Sequence, residues 1–220
     1  MICELDHLVL AARSLDEGVA WCERTLGIAP AAGGRHALMG THNRVFAIAS
    51  DDFPRAYFEI IAIDPDAPAP RRARWFDLDD AALQREVADG PRLVHWVARC
   101  GDVEAALATL ARCGVDAGRT VAASRATPAG ELRWRITVPD DGARRLHGAL
   151  PLLIDWGAMH PTDALAPSGV TLQSLALDVG SDPAPLRALG LDRYFAGAGA
   201  PITATLATPH GRVTLTSPRP

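Results

Sequence analysis

Leu5-Asp6-His7-Leu8-Val9-Leu10 decides the reading of the fold, because Leu93-Val94-His95-Trp96-Val97 repeats its pattern 88 positions later, counted from His7 to His95. Each is a short apolar strand with one histidine able to face inward. Each runs into an amphipathic stretch that stops at a glycine, Leu26-Gly27 in one copy and Cys113-Gly114 in the other. Duplication at a fixed period has to be settled first, since missing it misplaces the whole architecture. Two copies paired in space bring their histidines together across a pseudo-twofold axis, which is one way to build a metal site.

Working outward, Ser14 and Asp16 offer N-cap chemistry to a helix over Leu15–Leu26, with Leu15, Val19, Cys22 and Leu26 on one face and Gly27 as its stop. Gly33-Gly34 opens a short strand, Met39-Gly40 turns it, and Asn43–Ala49 returns. Ala56–Ile63 is a further strand that ends at Asp64-Pro65. The first module, residues 1–66, is therefore βαβββ. A connector, 67–91, carries Trp75-Phe76 and a short helix around Asp80–Val87. The second module, 92–160, repeats the order: strand 93–99, helix Asp102–Arg112, a hairpin of Thr120–Arg125 and Glu131–Val138 turning at Thr127-Pro128-Ala129-Gly130, and strand Leu150–Trp156. Residues 161–220 read as a truncated third copy, βαββ, in which Ser174 takes the slot of His7 and His95. Its sheet cannot close alone, so it is expected to cover an edge of the main domain or to dimerise. The fold class is α+β.

Composition narrows the function. Hydrophobic residues make up 48% and charged residues 22% of the 220, ordinary for a globular protein. Net charge is −4, with no basic face for nucleic acid. All 22 basic residues are arginine, and without lysine there is no Schiff base and no pyridoxal phosphate chemistry. Gly33-Gly34 lacks the spacing of a phosphate loop, which leaves nucleotide binding unsupported. The N-terminus has acids where a signal peptide needs bases, and no apolar run is long enough to span a membrane. Cys3, Cys22, Cys100 and Cys113 show no Cys-x-x-Cys pairing and read as reduced, in a cytoplasmic protein.

Tandem βαβββ modules opening on Asp-His-Leu-Val-Leu resemble the vicinal oxygen chelate superfamily. Gly33-Gly34-Arg35-His36 with Gly40-Thr41-His42-Asn43, Glu59-Ile60-Ile61-Ala62-Ile63-Asp64-Pro65, and Pro151-Leu152-Leu153-Ile154-Asp155-Trp156 are similar to its glyoxalase-like branch. The resemblance implies curled mixed sheets forming a cup, and a divalent metal held by inward residues of the first and fourth strand of each module. Those slots fall on His7, Glu59, His95 and Asp155. Two imidazoles and two carboxylates suit zinc, iron, manganese or nickel. A one-residue slip would turn Asp155 to the opposite face.

Each residue also has a plainer reading. His7 can cap backbone, Glu59 can be an outward acid on a solvated face, and His95 can be a polar neighbour of Trp96. Glu59 and His42 are the candidates for moving a proton. Arg35, His36, Asn43 and Trp96 are the candidates for binding substrate, although His42 can equally serve its hairpin turn. His160 reads as a surface loop residue. Two functions compete: a metal-dependent lyase, isomerase or dioxygenase acting on a small oxygenated molecule, and a small-molecule binding module that kept the cup without the metal. Expected partners are a small molecule and a second copy of the chain as a homodimer, with no nucleic acid and no membrane.

Overall fold

The computed structural model describes residues 2–127 and 130–218. Pro128 and Ala129 of the expected hairpin turn therefore lie outside the described residues, as does Met1.

The first repeat is β1 (Glu4–Ala11), α1 (Leu15–Leu26), β2 (Ala31–His36), β3 (Thr41–Ala47) and β4 (Tyr57–Ile63). Helix α1 begins where Ser14 accepts the Glu17 backbone N–H and ends where Gly27 turns left-handed at φ 74°, satisfying the free groups at both ends. A 3-10 turn at Trp75–Asp77 and α2 (Ala81–Ala88), capped by Asp80, fill the connector. The second repeat is β5 (Arg92–Arg99), α3 (Val103–Arg112), β6 (Arg119–Thr127), β7 (Gly130–Val138) and β8 (Leu152–Trp156).

These eight strands form one curled sheet in the order β2-β3-β4-β1-β5-β8-β7-β6. At its centre β1 and β5 run antiparallel, and each has a parallel neighbour from its own repeat, β4 and β8. The order reads the same outward from that centre on both sides, the twofold relation expected of a duplicated unit.

The two faces of the sheet carry different cores. Outside, Leu8, Leu10, Phe58, Ile60 and Trp96 pack with Cys22 and Leu26 of α1 and Leu110 of α3. The C-terminal elements β9 (Thr171–Leu177), α4 (Ala184–Ala188), β10 (Ile202–Thr208) and β11 (Gly211–Thr216) add a three-stranded sheet. Leu172, Leu177, Leu186, Ile202 and Leu206 join the same outer core. The segment is tied down by hydrogen bonds from Leu172 N to Ile48 O and from Cys3 N to Leu189 O, both 2.9 Å. It covers a face of the main sheet rather than an edge, and its apolar side is buried within the chain.

Inside, Val9, Ile61, Val97, Trp134, Ile136, Leu152 and Ile154 meet Met39, Trp75, Phe76, Leu83 and Val87. The connector thus plugs much of the hollow. Phe76 (φ 61°) and Asp77 (φ 58°) hold left-handed backbone that such residues adopt only when their surroundings impose it. Arg144 holds this turn against β5: its Nε lies 2.7 Å from Asp77 Oδ2 and its Nη1 donates to Val94 O.

Cysteine pairing departs from expectation. Cys3 and Cys100, both buried where β1 begins and β5 ends, form a disulfide with Cα atoms 4.6 Å apart, while Cys22 and Cys113 are free. The antiparallel β1–β5 register brings these ends together, a proximity that spacing along the chain cannot show. Among the described residues no helix is long and apolar enough to cross a membrane.

Candidate functional site

The site grows from an irregularity in β1. Its register with β5 steps between Leu5 and His7, which buries both Asp6 and His7. A buried carboxylate is costly unless hydrogen bonded. Asp6 receives three N–H donors: His7 Nδ1 at 2.7 Å, His160 Nε2 at 2.9 Å and Trp156 Nε1 at 3.0 Å. Burial alone would raise its pKa, but the hydrogen bonds to His160 and His7 outweigh it and hold the carboxyl far below the usual range.

His7 is correspondingly cationic. Burial opposes its charge, yet the Asp6 hydrogen bond and the Glu59 carboxylate lift its pKa from 6.5 to about 9. Its Nε2 faces Glu59 Oε2 at 3.6 Å, and Tyr57 stacks on the ring at 4.4 Å.

Glu59 sits on β4, in register with Val9 of β1 and Val45 of β3. Burial penalises its charge, but His7 and the Asn43 amide, 2.6 Å from Oε1, bring its pKa down to about 2. Asn43 in turn accepts the Gly34 N–H at 2.7 Å. His36 Nε2 lies 3.3 Å from the Asn43 amide nitrogen and accepts from it, so Nδ1 carries the ring proton toward Thr41 Oγ1 at 3.0 Å. Burial pushes the His36 pKa down to about 4, with Glu59 only partly opposing, and the ring is neutral near pH 7.

His7, His36, Asn43, Tyr57 and Glu59 border a cavity of about 40 Å³, walled by Trp75, Phe76, Trp134 and Trp156. A positively charged acid, a carboxylate base and a neutral imidazole therefore share one small polar space with aromatic walls.

The four slots that the resemblance marks for a metal do not meet. His95 is on the concave side, opposite Val9, but its Nε2 accepts the Leu152 N–H at 3.2 Å and Phe76 packs against its ring at 5.2 Å. Burial holds His95 neutral. Asp155 pairs with Arg135, in register with it, while Ile154 and Trp156 take the inward positions. The strand alternation thus sends Asp155 to the other face. Among the described residues no three His, Cys, Asp or Glu side chains are placed to hold one ion. His7 and Glu59 are brought together; His95 and Asp155 do not join them.

Other candidates divide the same way. His36 and Asn43 line the cavity, but Arg35 turns outward to Asp64 and Asp66 at 2.9 and 3.1 Å. His42 alternates with Asn43 along β3 and lies 3.9 Å from Asp64, away from the cavity. Trp96 belongs to the outer core, where its Nε1 donates to Ala149 O and its ring meets Tyr194 edge-on. His160, expected at the surface, is buried against Asp6. Sequence reasoning passed over Asp6 and Tyr57 and set His160 at the surface. One signal was available: the first copy has Asp6 before its histidine where the second has Val94. His160 offered none, because its partner lies 154 residues away.

A family description fits most of the chain, matching residues 5–191. The chain belongs to the glyoxalase-like domain family. In structure, the glyoxalase-like chain is similar to a hypothetical protein from Staphylococcus aureus at TM-score 0.58 and 14% identity, covering 99% of this chain and 87% of that one. It also matches a Streptomyces coelicolor methylmalonyl-CoA epimerase in complex with 2-nitronate-propionyl-CoA, at TM-score 0.46 and 20% identity, over 73% of this chain and 99% of that one. The corresponding figures for the Mycobacterium tuberculosis methylmalonyl-CoA epimerase are 0.40, 21%, 73% and 91%. These are likenesses of fold. No curated protein matches the chain.

Proposed function

We propose that this glyoxalase-like protein is an acid–base enzyme of the isomerase or lyase type, moving a proton on a small carbonyl-bearing molecule. The observation that carries the reading is the contact of His7 Nε2 with Glu59 Oε2, 3.6 Å apart inside the cup. A substrate carbonyl at His7 Nε2 receives a charge-assisted hydrogen bond, which strengthens as the oxygen becomes an oxyanion. By taking that hydrogen bond it also draws His7 away from Glu59. The carboxylate then regains base strength for the adjacent C–H. Asp6 holds the imidazole in orientation through Nδ1, as a fixed carboxylate does for a catalytic histidine. No step is routed through a metal, because the four slots do not converge.

Wash-out of carbon-bound protons in D2O tests the reading, with hydroxyacetone, pyruvate and acetone as probes followed by proton NMR. Wild type exchanges at least one of them, and Glu59→Gln loses about 10²–10⁴-fold. A wild-type protein inert toward every probe removes the proposal. The aromatic walls favour one second reading, a binding module, which predicts tryptophan quenching by ligand with no exchange.

A further inference from the structure

Arg125 stands on β6 and borders the same cavity as His7, His36, Asn43 and Glu59. Its Nη1 is buried with no hydrogen-bond partner, and among the described residues its guanidinium joins no ion pair. The two strands involved, β2 and β6, are opposite edges of the eight-stranded sheet. Even so, Arg125 Nη1 lies 1.9 Å from the point where a β-carbon on Gly34 of β2 would stand. Gly34 therefore leaves the space through which the arginine crosses from one edge to the other, and the crossing narrows the cup. Its charge also acts on His36 and Tyr57.

A part-buried guanidinium without a counter-ion is costly, and the cavity offers it no internal one. Asp6 is already bonded to His7, His160 and Trp156, and Glu59 to Asn43 and His7. The missing partner is thus an anion from solution. A planar carboxylate matches the guanidinium fork with two parallel hydrogen bonds. It is also small and singly charged, which suits a cavity of about 40 Å³ that already holds Glu59. A dianionic phosphate is bulkier and meets the repulsion of that carboxylate.

We propose that Arg125 is the anion-binding residue of the site and that its ligand is a short-chain carboxylate. Arg125 takes the carboxyl group, and the next carbons lie toward His7 and Glu59. The role of those carbons rests on the proton-transfer reading above; the binding does not.

The test titrates wild type, Arg125→Gln, Arg125→Lys and Glu59→Gln with acetate, pyruvate, acetamide and inorganic phosphate, reading tryptophan fluorescence and NMR line broadening. Acetate and pyruvate are expected to bind wild type at least about tenfold more tightly than acetamide, the factor for one charge-assisted hydrogen bond. Arg125→Gln loses that margin, and Arg125→Lys recovers part of it because the charge stays while the fork is lost. Acetate and acetamide binding alike, phosphate binding more tightly than acetate, or Arg125→Gln binding acetate as wild type does each overturns the proposal. Glu59→Gln separates the two readings: it binds acetate at least as tightly as wild type, since a like charge leaves the cavity, while losing exchange. Arg125-dependent binding in a wild type that exchanges nothing sinks proton transfer alone. Exchange of acetone with no carboxylate preference sinks the anion site alone.

Discussion

Asp6 Oδ2 accepts the Nε2–H of His160 at 2.9 Å, although 154 residues separate them. The same carboxylate holds His7 through its other oxygen. One buried acid therefore ties the turn after β8 to the strand that carries the reactive imidazole. His160 is locked in turn, since its Nδ1 accepts the Thr162 N–H and leaves Nε2 as the donor.

Removing that acid is expected to be severe. Asp6→Ala leaves a buried imidazolium and two N–H groups without an acceptor, a loss of about 3–5 kcal/mol. Urea unfolding measures it, and an unchanged midpoint would contradict the network. In the milder Asp6→Asn, NMR titration is expected to show the His7 pKa falling from about 9.

Stability is expected to peak near pH 6.5. Burial opposes the His7 charge but Asp6 and Glu59 raise its pKa to about 9, so its contribution is complete below the unfolded value and lost as pH rises from about 6.5 through 9. That alkaline loss is on the order of 3 kcal/mol. His36 and His95 run the other way. Burial depresses both, so stability falls as pH drops below about 6.5, where the unfolded chain binds protons that the folded one refuses. Glu59, lowered to about 2, adds a further loss below about pH 4.5. Urea midpoints across pH are expected to lose their alkaline slope in His7→Gln and part of their acid slope in His36→Gln.

Gly33 faces a test of space. A β-carbon there would stand 2.1 Å from Asn43 Oδ1 and 2.3 Å from Asn43 O. Backbone cannot yield as a flexible side chain does, so Gly33→Ala is expected to cost about 1–3 kcal/mol. It should also release Asn43 from Glu59. Thermal unfolding together with the exchange rate reads both effects, and a variant with both unchanged would place the strands farther apart than described.

Asp155 and Glu59 should behave unlike each other, although the resemblance gave them equivalent slots. Asp155 forms a partly solvated pair with Arg135 outside the cup, and such pairs add little. Asp155→Asn is expected to leave proton exchange within about twofold of wild type, where Glu59→Gln removes it. Equal losses in the two variants would show that both act at one centre.

The Cys3–Cys100 disulfide spans 97 residues. Closing a loop of that size restricts the unfolded chain, and its loss is expected to cost about 2–5 kcal/mol. Calorimetry of wild type with and without reductant, beside Cys3→Ser, checks this. A melting temperature indifferent to both would refute it.

What the sequence determined by itself was the repeat and the elements within it. Helix α1 runs over Leu15–Leu26 because Ser14, Gly27 and the apolar spacing act within a few residues of each other. Alternation along β4 puts Glu59 on one face with Ile61 and Ile63. Both faces of that strand are apolar, however, and only the curl of the sheet turned this face inward. Tertiary structure decided whatever depends on partners far along the chain. The bulge at Asp6, set by pairing with β5, joined Asp6 to His160. The register of β8 against β7 turned Asp155 outward. The curl of the sheet laid Arg125 over Gly34 from the opposite edge. Local periodicity carries no information about which distant strand lies alongside, so these contacts exist only once the sheet has closed.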